Sequence, residues 1–426
     1  MNRAATDGRF GATGPGHVLR ALKHRNFRLF FGGQFVSLVG TWMQQVAISW
    51  LVYRLTNSPL LLGVVVFSGQ VPTFLLAPFA GVMADRWNRH RILIITQTLS
   101  MTLAFALSAL VLTGAVRVWH IVIAASCLGV INSFDIPTRQ SFFIHMIEKR
   151  EDLGNAIALN SSLVNSARFL GPTIAGVLIA AAGEGVCILV NAVSYLAVIS
   201  ALLMMKIRPE KREAEVRHVF TEFKEGFRYT YGFPPIRALL FLVSLISLAG
   251  SPYSVLMPVF ARDILHGGPH TLGFLMGSAG VGALTGTIYL ASRSSIRGLG
   301  RVMVYATAAL GTGVVAFSFS RSVPLSMLCI YFAGFGMMVD MASANTVLQT
   351  IVDDGKRGRV MSFYTMSFMG MAPFGSLLAG YAAARIGAPY TLVIGGSVCL
   401  AGSVFFARNL PKLKEHIRPI YARKGI

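Results

Sequence analysis

The amino-acid sequence predicts an all-α membrane protein: twelve transmembrane helices in two pseudo-symmetric six-helix bundles. Three observations carry that expectation. The 426 residues are 54% hydrophobic and only 13% charged, against about 25% charged in an ordinary soluble domain, so the chain cannot cover itself with polar surface. Runs of roughly 18 to 25 residues without Lys, Arg, Asp or Glu recur along it, each long enough to cross a hydrocarbon core about 30 Å thick. Finally, a pattern returns after 205 residues: Gly129 to Asp135 reads GVINSFD and Gly334 to Asp340 reads GFGMMVD, which together with Gly171-Pro172 on helix five and Ala372-Pro373 on helix eleven supports a duplicated six-helix half.

The elements follow in order. Residues 1–26 form a basic tail with no short apolar region and no small-residue cleavage site behind it, so no cleaved signal peptide is expected. Spans at 27–53, 60–82, 92–114, 118–142, 155–182 and 185–205 make the first bundle, 27–205. A polar segment, 206–235, comes next. In it Phe220, Phe223, Phe227 and Tyr231 recur at helical spacing between Glu222, Lys224, Glu225 and Arg228, which predicts an amphipathic helix lying at the membrane interface; a docking helix for a partner protein is the alternative. Spans at 236–261, 271–292, 301–320, 324–350, 358–384 and 388–408 make the second bundle, 236–408, and residues 409–426 are read as a tail.

Charge sets the orientation. With both ends of the chain in the cytoplasm, 32 of the 38 Lys and Arg fall on cytoplasmic segments, while Arg54, Arg117, Arg262, Arg321 and Arg385 fall outside and Arg168 lies within a span; cytoplasmic loops hold such an excess. The net charge of +21 is therefore the positive-inside bias. No nucleic acid is expected, because no folded basic domain exists to bind it. Cys127, Cys187, Cys329 and Cys399 sit singly in apolar runs, without the spacing of a disulfide framework or a metal site. The sequence contains no Gly-x-Ser-x-Gly elbow, His-Glu-x-x-His pair or phosphate loop, so neither an enzyme nor an ATP-driven pump is expected, and no metal or cofactor.

The most specific motif is GVMADRWNRHR, residues 81–91, with Gly81, Asp85, Arg86, Arg89 and Arg91. Gly81 lets two helix ends approach closely and Asp85 suits the positive N-terminus of a neighbouring helix, giving a charge latch. This run resembles the cytoplasmic signature of the major facilitator superfamily, with His90 where a second basic residue often stands. In that family the matching acid and arginines help hold the cytoplasmic side closed. Asp135 carries Arg139 one turn away, and the resemblance gives Asp135 a role in the latch, paired with an arginine such as Arg89. Helix five reads NSARFLGPTIAG; its Gly171, Pro172 and Gly176 resemble the antiporter motif of drug exporters, although small residues and a proline serve any tightly packed bundle.

Charged groups inside a bilayer cost about 2.5 to 3.5 kcal/mol each on insertion scales, so each needs a reason. Asp340 has no basic residue at helical spacing on its own span and is the first candidate for a proton carrier; permanent pairing with another helix is the alternative. Arg168 serves as an ion-pair partner or as a contact for an anionic substrate. In the resemblance, helices one, four, seven and ten line the cavity. Trp42, Gln45 and Ser49 on helix one, with Asn345 and Gln349 on helix ten, then offer an aromatic ring and hydrogen-bonding groups to an amphipathic ligand. The whole chain resembles the branch of the superfamily that holds the enterobactin exporter and macrolide-efflux proteins. That implies a monomeric, proton-coupled exporter of a small amphipathic compound in the bacterial inner membrane, working by alternating access. A lipid or lysolipid flippase is the alternative.

Overall fold

The computed structural model describes residues 19–147, 149–206, 227–293 and 295–424, without the side chains at 77, 78, 81, 82, 84–86, 144, 145, 150 and 354. Among the described residues twelve long helical segments follow one another: α1 (Arg25–Thr56), α2 (Pro59–Arg86), α3 (Arg89–Leu112), α4 (Val118–Phe142), α5 (153–182), α6 (184–204), α7 (Pro234–Ile264), α8 (Pro269–Ala291), α9 (Leu299–Phe319), α10 (Val323–Ile351), α11 (357–386) and α12 (Ala388–Arg423).

Local chemistry sets the breaks. Asn57, in the left-handed region at φ 50°, ends α1. The Ser58 hydroxyl accepts from the Leu61 amide at 3.4 Å and Pro59 occupies the first turn, which starts α2. Asn88 caps α3 in the same way, accepting from the Arg91 amide at 3.2 Å. Gly183, at φ 85°, is the one non-helical residue between α5 and α6, and no L side chain adopts that conformation cheaply. Two helices carry π turns: α7 at Ile246–Gly250 and Phe260–Ile264, and α11 at Met366–Gly370. A π turn leaves backbone groups out of the helical ladder. Here the Ser247 hydroxyl donates to the freed Phe368 carbonyl, joining α7 to α11.

Packing repeats between the halves. In the first bundle α2 packs on α4, α3 on α4 and on α6; in the second α8 packs on α10, α9 on α10 and on α12. The bundles meet along α5 with α8 and α2 with α11. Small residues allow this, since helices in lipid associate by close packing. A Cβ on Gly273 would lie 2.6 Å from the Pro172 carbonyl oxygen, and one on Gly63 would lie 2.6 Å from the Ser376 carbonyl oxygen. Large apolar side chains face outward: Tyr305 is 73% exposed and Phe319 66%, a surface that suits lipid.

The span limits agree with the sequence to within a few residues except at the end of the chain. There α12 continues to Arg423, well past residue 408. Leu410, Leu413, Ile417 and Tyr421 recur every three or four positions and line a recess with Pro235 and Leu239 of α7, so the expected tail is an amphipathic extension of α12. Of the expected interfacial helix, Phe220 and Phe223 lie outside the described residues. Residues 227–232 are helical, the rings of Phe227 and Tyr231 lie 4.3 Å apart, and Lys356 sits 4.2 Å over the Tyr229 ring.

Candidate functional site

The repeat places two acids at matching positions, and the structure treats them differently. Asp135 on α4 is buried; one carboxylate oxygen accepts from Thr96 Oγ1 at 2.9 Å and Gln97 Nε2 at 2.7 Å, both on α3, and the other pairs with Arg139 on its own helix. Asp340 on α10 is fully buried; one oxygen accepts from Thr307 Oγ1 on α9 at 2.9 Å, and the other has no hydrogen-bond partner among the described residues. Ala344 stands where the first half has Arg139, and Ala308 follows the donor Thr307 where Gln97 follows the donor Thr96. Around Asp340, Tyr364 of α11 and Cys399 of α12 lie within Coulombic range, and the Tyr364 hydroxyl donates to the Met341 carbonyl at 2.9 Å.

A second cluster forms half-way along the spans. The Arg168 guanidinium of α5 lies 5.2 Å over the Trp42 ring of α1, and buried Tyr253 of α7 lies within Coulombic range of it. Gly171, one turn beyond Arg168, brings α5 against α1, since a Cβ there would stand 2.5 Å from Trp42 Cβ. Pro172 has no amide proton, so the Arg168 carbonyl loses its helical partner; Gly280 of α8 packs against it, a Cβ there falling at 2.8 Å. Gly176 packs on Gly273 of α8. Gln45 is exposed, Ser49 donates to the Gln45 carbonyl at 2.8 Å, and Gln349 donates to Asn345 within α10.

The bundles are stitched at the end away from the chain termini. The Tyr53 hydroxyl at the end of α1 donates to the Asp263 carboxylate at the end of α7, and Arg262 donates to Asn57 Oδ1 at 2.7 Å. Beside them, Arg54 of α1 pairs with Glu184 of α6 at 2.7 Å. Together with the glycine contacts of α5 with α8 and α2 with α11, these close that end.

At the termini-bearing end, the side chains of Gly81, Asp85 and Arg86 lie outside the described residues, so the proposed latch is seen only in part. Arg89 begins α3 and Arg91 is exposed. His90 Nε2 bonds the Leu202 carbonyl in the last turn of α6 at 2.8 Å, so this departure from the basic pattern ties α3 to α6. Nearby, Asp152 clasps the segment before α1. It pairs with Arg20 at 2.5 Å and His24 at 2.9 Å. The hydrogen bond with His24, aided by the Arg20 charge and opposed by desolvation, holds the Asp152 carboxyl below its ordinary range.

A helical bundle duplicated in this way is shared by many transporters, so sequence comparison decides the family. The model of the transmembrane secretion effector family, a branch of the major facilitator superfamily, matches residues 17–421. The chain belongs to this family. The transporter is 26% identical over 400 residues to the staphyloferrin A transporter of Staphylococcus aureus, covering 91% of this chain and 97% of that one. It is 27% identical over 382 residues to the multidrug efflux pump Tap of Mycolicibacterium fortuitum, covering 87% and 92% respectively. Among solved structures it superposes on the nucleoside transporter NupG with a TM-score of 0.70 at 13% identity, covering 92% and 99%. It also superposes on a bacterial homologue of ferroportin with a TM-score of 0.68 at 18% identity, covering 91% and 98%.

Sequence reasoning missed Tyr53, Asn57, Arg262 and Asp263, because they end spans and read as loop residues. The adjacent pair Arg262-Asp263 was the available signal, being a charge doublet directly against an apolar run. It also missed Thr96, Gln97 and Thr307; a Thr-Gln pair inside an otherwise apolar span marks a buried polar partner.

Proposed function

We propose that this transporter is a proton-coupled exporter of a small amphipathic compound, set in the bacterial cytoplasmic membrane with both ends of the chain inside. It works by alternating access: the bundles rock about a pocket between them, and the state described has its periplasmic end closed by Tyr53, Asp263, Arg262 and Asn57. The observation that carries the reading is the contrast between the two acids. Asp135 has a fixed counter-charge, whereas Asp340 is equally buried and keeps one oxygen without a partner among the described residues. Ionising such a group in an apolar interior costs several kcal/mol, so its proton departs when a movement of α9, α11 or α12 brings water or a donor to it. Thr307, Tyr364, Cys399 and Asn345 are the polar and titratable groups that take part in that exchange.

The family relatives supply the direction of transport, being named for efflux of drugs and transport of a siderophore. The test is Asp340→Asn in proteoliposomes with an imposed proton gradient. Uphill accumulation and substrate-driven proton movement are expected to fall to background while downhill exchange persists. Undiminished proton movement would remove Asp340 from the mechanism.

A further inference from the structure

Arg168 lacks what an intramembrane cation normally has. Half-way along α5, about 22 Å from either end at 1.5 Å per residue, it makes no hydrogen bond and no ion pair among the described residues. Among the described residues, the acids within the spans and at their ends are engaged elsewhere. Asp135 is held by Arg139, Glu184 by Arg54 and Asp263 by Tyr53, and Asp340 is turned toward Thr307 on α9. What Arg168 does have is an aromatic face, the Trp42 ring at 5.2 Å, and the neighbouring Tyr253 from the other bundle. Its nitrogens are also not sealed in: none is both occluded and without a partner, and the side chain stays partly exposed.

Cation–π contact takes one face of the guanidinium and leaves its edge, with the N–H donors, unused. That edge is a planar fork whose spacing matches a carboxylate in two parallel hydrogen bonds. The backbone around it is fixed in place by Gly171 against α1 and Gly280 against α8, so the fork is held where the bundles face each other. We infer that Arg168 is the anchor for a carboxylate on the transported compound, with Trp42 stacking on the cation and on the compound's apolar body and Tyr253 closing the pocket from the second bundle. The substrate class is thus an amphipathic carboxylate, and neutral or cationic amphipaths are disfavoured. This rests on the reading of a substrate pocket between the bundles and is independent of proton coupling.

Equilibrium binding tests it without any gradient, so its failure and a failure of the coupling reading are separable. The full chain carrying Trp50→Phe, Trp87→Phe and Trp119→Phe keeps Trp42 as the sole tryptophan. In neutral phosphatidylcholine nanodiscs, anthracene carboxylate is titrated and energy transfer from Trp42 is read, with anthracene carboxamide as the neutral isostere. The carboxylate is expected to quench saturably and to bind at least tenfold tighter than the amide, the size of a hydrogen bond to a charged group. Arg168→Gln is expected to abolish that preference, and Arg168→Lys, which keeps the charge without the fork, to retain part of it. Absence of saturable quenching, equal binding of the two probes, or an unchanged preference in Arg168→Gln would each overturn the proposal. Loss of carboxylate binding on adding phosphatidylglycerol would assign the anion site to a lipid headgroup and overturn it as well. Should Arg168→Gln not fold, the wild-type probe ratio and Arg168→Lys still decide.

Discussion

The contact of α5 with α8 gives a quantitative handle on the conformational cycle through Gly273→Ala. The added methyl would stand 2.6 Å from the Pro172 carbonyl oxygen and 2.7 Å from the Gly176 Cα. Carbon–oxygen contacts settle at about 3.3 Å or more, so the two helices must part by about 0.7 Å at this level. The obstructing atoms are backbone, and no rotamer change relieves them. A gap of that size forfeits about a quarter to a half of each local dispersion contact, and overpacking of this kind costs about 1–3 kcal/mol. The cost falls on the state in which this end is closed and spares the state in which the helices have separated. The closed-to-open ratio should therefore fall about five- to 150-fold. Spin labels on Thr113→Cys and Ser322→Cys, in loops of opposite bundles at that end, with Cys127→Ser to remove the exposed native thiol, report it as a longer interlabel distance. Gly69→Ala is the control, because its methyl meets the Ala125 carbonyl at an ordinary 3.5 Å. An unchanged distance distribution in Gly273→Ala, or an equal change in Gly69→Ala, would refute the reasoning.

Two further outcomes follow from the polar contacts. Tyr53→Phe removes the hydroxyl that donates to Asp263; a hydrogen bond to a charged group contributes about 1.5–3 kcal/mol, so the same spin pair should report about tenfold more of the open population, and an unaltered distribution would mean that the glycine contacts alone close this end. The Asp152 carboxyl is held low in the folded state, so its contribution is complete above about pH 4, the ordinary carboxylate value, and is lost as pH falls through the lowered native value. Fluorescence anisotropy of a label on Leu19→Cys should drop only at the acid end in the parent, and already at neutral pH in Asp152→Asn; identical acid profiles in the two would place the anchoring elsewhere.

The twelve spans were legible because hydrophobic length is a one-dimensional property, and every predicted span overlies a helix in the structure. The extension of α12 was not, because Leu410, Leu413, Ile417 and Tyr421 are diluted by Lys412, Lys414 and Arg418, and an average over the window hides the stripe. For the site, sequence could rank charged residues inside spans but could not say which of them touch. Sequence separated Asp135 from Asp340 only by Arg139, one turn from Asp135; their partners on neighbouring helices, Thr96 and Gln97 for the first and Thr307 for the second, had to be placed in space. Trp42 was chosen for its helical spacing with Gln45 and Ser49, whereas its main relation is to Arg168, 126 residues along the chain. Contacts of that separation leave no local trace.

The π turn of α11 has a geometric consequence for the whole second half. One surplus residue per turn advances the angular phase of everything beyond it by about 100° relative to an unbroken α-helix. On one side of Met366–Gly370, Tyr364 bonds the backbone next to Asp340; on the other, Gly380 packs against Pro59 and Gly63 of α2. A regular helix could not aim both faces correctly. If the surplus residue were absorbed, the part of α11 beside Asp340 would rotate against the part touching α2, so twisting this single rod mechanically links the acid to the partition between the bundles.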